Sequence, residues 1–77
     1  MAVKGLLRAL GEELRERRLT RGLTQDGLAA KAGLHRNFIG MIERGERNST
    51  VLTLEAITDV LKANLSELLA GAERRRK

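Results

Sequence analysis

The chain has 77 residues, no cysteine, no proline, a single histidine and a net charge of +5. That length allows one domain, burying roughly 60% of its unfolded surface, and the composition leaves no disulfide, thiolate zinc site or histidine cluster to reinforce it. No apolar run approaches the ~18 residues that span a bilayer and no signal-peptide pattern opens the chain, so a soluble, cytoplasmic protein with no membrane association is expected.

The first helical pattern covers residues 4–20. Leu6, Leu10 and Leu14 recur every fourth position, with Arg and Glu on the other face. Gly22, preceded by Arg17, Arg18 and Arg21, reads as its C-terminal stop. Thr24 is the expected N-cap of a short second helix, residues 25–32, with Leu28, Ala29 and Ala32 facing inward. Gly33 ends it, and Leu34 and His35 lead into a third helix over residues 36–44. There Ile39 and Ile42 point inward, and Met41 lies on another face. The stretch "GERNST" is a polar loop. Thr50 then caps a fourth helix, residues 51–62, with Leu54, Ile57 and Leu61 as its buried stripe. Ser66 is the expected cap of a short fifth helix containing Glu67, Leu68 and Leu69, ended by Gly71. The fold expected is all-α and five-helical, with a domain over residues 1–71 and a basic flexible tail over 72–77.

Charge is unevenly placed. Residues 1–14 are neutral, 15–47 carry +4, 48–71 carry −2 and 72–77 carry +3. A basic middle beside an acidic later segment suits a polyanion-facing side with a different partner for the rest; a solvated basic surface is the plainer reading.

Two short helices joined through a glycine fit a helix-turn-helix. Ala29 is small enough for a steep helix crossing, and Gly33 supplies the positive φ of the tight turn. Any antiparallel helix pair with a glycine turn shares that spacing. The string "GLTQDGLAAKAGLHRNFIGMIERGERN" is more specific. With its "LTQ" opening, "AG" turn, "IERG" and the later "LSELL", it resembles the lambda-repressor/Cro-like (XRE-type) helix-turn-helix family over residues 10–69. Within that family it is most similar to the controller proteins of restriction–modification systems, small homodimeric transcription regulators. Gly27 departs from the family pattern, where a helix former such as Glu is usual, and weakens the second helix by ~1 kcal/mol relative to alanine.

The resemblance implies that the start of the third helix enters the major groove of DNA. Arg36 and Asn37 are then the base readers, arginine suiting guanine O6/N7 and asparagine suiting adenine N6/N7. Met41, one turn on, faces a thymine methyl. His35 at the helix entrance contacts a base or phosphate, or simply caps the turn. Phe38 either packs or touches sugars and thymine methyls beside the phosphates. Gln25 matches the family's backbone-phosphate position at a helix N-terminus. Arg44, Arg47 and Asn48 are further candidate phosphate contacts, or else a solvated loop. Arg18 and Glu43 match family positions that form a structural ion pair between the first and third helices.

Val51, Leu52, Val60, Leu65 and Leu68 exceed what a small monomer buries easily, so a two-fold dimer is expected. Leu52, Val60, Leu65 and Leu68 supply its interface, Leu52 and Leu65 foremost. The expected function is a sequence-specific double-stranded DNA-binding transcriptional regulator acting as a homodimer, a controller protein. An antitoxin or phage-type repressor, and a helical module that docks only to proteins, are the alternatives. Partners are an operator duplex and a second copy, with RNA polymerase a further candidate. One histidine, no Cys, no Tyr and two serines at caps or loops offer no nucleophile–base constellation, so no enzyme, cofactor or metal is expected.

Overall fold

The computed structural model describes residues 2–76, and side chains from Gly5 to Arg76. Met1 and Lys77, the outer ends of the expected domain and tail, lie outside the described residues. Among the described residues there are five helices and no strand: α1 (Ala2–Thr20), α2 (Gln25–Ala32), α3 (Arg36–Glu43), α4 (Val51–Leu61) and α5 (Leu65–Arg75). Helix α1 packs on α5 and α3, while α2 bridges α3 and α4. Leu14, Leu28, Ile39, Ile42, Ile57 and Leu68 meet in the centre, each fully buried. At least one side chain from every helix thus reaches a single core, which is how helices this short become stable.

Besides the end of α5, four boundaries differ from the sequence expectation, among them that of α3, which stops at Glu43 with Arg44 as its C-cap. Helix α1 begins at Ala2, two residues early. Helix α4 stops at Leu61, because Lys62 adopts a left-handed conformation (φ 59°) and serves as the C-cap. Helix α5 starts at Leu65 with Asn64 as its N-cap, in place of Ser66. Glu67 reaches back to accept the Asn64 backbone N–H at 2.8 Å, half of a capping box that the spelling "NLSE" carries.

The largest correction concerns residues 71–75. Gly71 does not end α5, and residues 72–75 are not a free tail: the helix runs on to Arg75, with Ala72 fully buried. Gly71 is there for space. A Cβ at this position would overlap the Glu13 carboxylate of α1. Glu13 in turn accepts Arg17 Nε at 2.7 Å and Arg75 Nε at 2.9 Å, which clasps the end of α5 onto α1. Leu68, expected in a dimer interface, is fully buried inside the monomer and cannot serve there. The apolar pair Leu68 and Ala72, one turn apart, is the stripe by which α5 joins the core.

The clasp is pH-sensitive. Burial pushes the Glu13 carboxyl up, but hydrogen bonds from Arg75 and Arg17, together with their charges, outweigh it and hold the group below its ordinary 4.5. A carboxylate whose pKa is depressed by folding contributes stability that is complete above the unfolded value and is lost as pH falls through the folded one. The wild-type melting temperature should therefore fall below about pH 4.5 more steeply than that of Glu13→Gln, which lacks this titration. Parallel acid limbs in thermal melts of the two proteins would remove Glu13 from the account.

Candidate nucleic-acid interface

The surface built by α2 and α3 begins with their caps. Thr24 is extended, and its hydroxyl accepts the Gly27 N–H at 2.9 Å. Gly33, at φ 72°, closes α2 by donating its N–H to Ala29 and Ala30 carbonyls, and Leu34 N–H follows onto Ala29 at 2.9 Å. A residue with a Cβ is disfavoured at that φ, so the turn depends on glycine. His35 is the N-cap of α3, its Nδ1 accepting the Asn37 N–H at 3.1 Å. Its capping role is thus defined in the free protein, and the same bond leaves Nε2 as the outward donor.

Ile39 and Ile42 anchor α3 from inside. The helix therefore turns Arg36 and Asn37 to solvent, with Met41 half-buried one turn on. Gln25, Asp26, Arg36, Asn37, Gly40, Met41 and Arg44 line one open depression between the start of α2 and the outer face of α3. Of the base-reading and phosphate-binding candidates, Arg36, Asn37, Met41, Gln25 and Arg44 thus share one surface. Asn48 is exposed in the following loop.

Beneath this surface lies the ion pair. Arg18 Nε meets Glu43 Oε2 at 2.6 Å and Nη2 meets Oε1 at 3.1 Å, with side-chain exposures of 7% and 3%. Arg18 Nη1 also donates to the Leu23 carbonyl at 2.7 Å, tying α1 to the approach of α2. Gln25 Nε2 donates to Glu43 Oε1 at 3.0 Å. One amide N–H of Gln25 is thereby spent on orienting the side chain, and the second is left over at the N-terminus of α2. The buried pair, in effect, holds the phosphate candidate in place.

Two further details belong to this surface. Asp26 is an exposed carboxylate on the same surface. At the first turn of α2 it complements the helix dipole, though it opposes a phosphate. Phe38 is half-buried against the core, and the Arg47 guanidinium carbon lies 4.9 Å from its ring centroid. Packing is therefore its role within the fold, with one face covered by Arg47. Arg44 Nε pairs with Glu46 at 3.1 Å, both more than half exposed, an arrangement worth little to stability.

Residues 14–68, from α1 to α5, match the model of the helix-turn-helix family HTH_3. The chain belongs to that family. Among its relatives, control protein C.SmaI of Serratia marcescens is 42% identical over 60 residues, spanning 78% of this chain and 71% of the relative. Among solved structures, the restriction-modification controller protein C.AhdI of Aeromonas hydrophila superposes with a TM-score of 0.79 at 37% identity, covering 80% of this chain and 94% of that one. Controller protein C.Esp1396I, solved as a tetramer with its natural 35 base-pair operator, gives 0.81 at 32% identity over 92% of this chain and 93% of that one. The HTH_3 match contains every residue placed on the surface above. No helix among the described residues is long and apolar enough to cross a membrane.

Proposed function

We propose that this HTH_3 protein is a cytoplasmic, sequence-specific double-stranded DNA-binding transcriptional regulator, acting as a homodimer and controlling a restriction–modification system. The observation that carries the DNA reading is the placement of Arg36 and Asn37. Both are exposed at the first turn of a helix locked from inside by Ile39 and Ile42, beside the N-terminus of α2. In a helix-turn-helix this turn enters the major groove, where an arginine fork fits guanine and an asparagine amide fits adenine. The controller role is supported by the three relatives above, all of which are named as control or controller proteins. No catalytic part is assigned to any residue. An adjacent methyltransferase and endonuclease gene would agree with the controller role, whereas an adjacent toxin gene would favour an antitoxin.

Binding of labelled duplex DNA over a salt series tests the reading. Each phosphate neutralised contributes a slope of about −0.9 in log K against log salt, so several contacts give a steep loss of affinity. Salt-independent binding, or none, would favour a module that docks only to proteins. A role in activation would add RNA polymerase as a partner, whereas repression needs only an occupied operator. Transcription in vitro from an operator-bearing promoter separates the two.

The dimer reading draws on apolar exposure. Of the exposed large apolar side chains among the described residues, Val51 (64%), Leu52 (75%) and Leu69 (37%) lie on α4 and α5, and Leu19 lies on α1. Val60 and Leu65 are half-buried beside the core and complete the proposed interface with Leu52. Sedimentation should show a dimer at micromolar concentration, and Leu52→Glu should shift it to monomer while weakening operator binding. A wild-type monomer throughout would refute the interface.

A further inference from the structure

The two arginines that follow α3 are held in different ways. Arg44 shares Glu46, which reduces its net charge toward an anion. Arg47 has no carboxylate partner among the described residues; its guanidinium instead lies over the ring of Phe38, 4.9 Å from the centroid. That ring is half-buried and packed against the core, so it offers a fixed platform. A guanidinium stacked on an aromatic face is restrained by the ring quadrupole, yet its in-plane N–H groups stay unspent and matched to phosphate oxygens. Arg47 is exposed, four residues beyond the end of the helix proposed to enter the groove.

We infer that Phe38 is a positioning residue whose ring pre-orders Arg47 as a clamp on a phosphodiester of the DNA backbone, an inference that rests on the DNA-binding reading above. An unrestrained arginine in a polar loop loses much of its rotamer freedom when it grips a phosphate. One already restrained on a ring loses less, so the ring contributes affinity without touching DNA. Because the clamp grips the backbone, its effect is independent of base sequence.

A mixed-sequence duplex is therefore a sufficient probe. Affinity of the full chain is measured by fluorescence anisotropy at one salt concentration, and again over a salt series. Arg47→Ala should weaken binding and flatten the salt slope by about 0.9 per subunit. Phe38→Leu keeps an apolar side chain on the core but loses the ring face, and should weaken binding roughly two- to five-fold per subunit. Phe38→Tyr restores the ring and should bind as the wild type does. In an Arg47→Ala background, Phe38→Leu should cost nothing further.

Thermal melts establish that each variant is folded at the assay temperature. Without DNA, upfield ring-current shifts on the Arg47 side-chain protons of the wild type read the stack directly. Unshifted protons, a wild-type affinity for Phe38→Leu, or an undiminished Phe38→Leu effect in the absence of Arg47 each overturn the inference. The last of these would make Phe38 a direct DNA contact. A wild-type chain that binds no duplex refutes the DNA reading itself, and the clamp with it. A binding wild type with no Phe38 effect removes the clamp alone.

Discussion

Arg36→Ala is expected to reduce operator binding far more than binding to scrambled duplex. Arg36 is exposed at the first turn of α3, where its planar fork can give two hydrogen bonds to guanine O6 and N7. Lysine cannot reproduce both bonds, so Arg36→Lys should recover little. One such contact is worth about 1–3 kcal/mol of base discrimination, and two-fold symmetry places it in both half-sites, so about 2–6 kcal/mol is at stake per dimer. Gln25→Ala should behave differently, weakening operator and scrambled DNA by similar factors, because a phosphate contact carries no sequence information. Measuring both variants on both duplexes at one salt concentration separates base reading from anchoring. Equal loss on the two duplexes for Arg36→Ala would make Arg36 a phosphate anchor.

The second large effect is on stability. Glu43→Gln leaves the Arg18 guanidinium, 7% exposed, without its counter-charge in the angle between α1 and α3. Breaking a buried pair from one side costs about 3–5 kcal/mol, since the remaining charge is neither hydrated nor compensated. In a domain this size each kcal/mol moves the melting temperature by about 4–8 °C, so a drop of more than about 10 °C is expected. Glu46→Gln is the control. Its carboxylate is 56% exposed and pairs with an equally exposed Arg44, so removing it should change stability by less than about 1 kcal/mol. Similar shifts from the two substitutions would show that the Arg18–Glu43 contact does not hold the helices together.

These two predictions rest on parts of the chain that the sequence makes legible. Thr24, Gly33 and Thr50 mark helix ends because each performs a local backbone task that few other residues do as well. Leu28, Ile39 and Ile42 follow from periodicity, whereas Arg36 and Asn37 stand out only through the resemblance to the helix-turn-helix family, and the structure adds that both are exposed. The less legible features depend on contacts distant in sequence. Gly71 resembles a helix stop, and only the placement of Glu13 on α1 reveals that the glycine makes room for a carboxylate. Leu68 is apolar whether it enters the core or a second subunit, and the continuation of α5 through Ala72 decides for the core. Glu13 looks like another surface acid of α1 until Arg75, 62 residues away, closes over it. Likewise, the Gln25–Glu43 bond spans 18 residues, and the placement of Arg47 on Phe38 depends on how an irregular loop turns back.

The central claim is that the outer face of α3 reads a duplex sequence through two symmetric copies. Selection of tight binders from a random duplex library, followed by sequencing, tests this most directly. Two half-sites related by a dyad should be enriched, with centres about 34–36 Å or a multiple apart, each retaining guanine where Arg36 docks. The guanine preference should disappear when the selection is repeated with Arg36→Ala. A library that stays random after selection with the wild type, or an enriched sequence unchanged by Arg36→Ala, would contradict the claim.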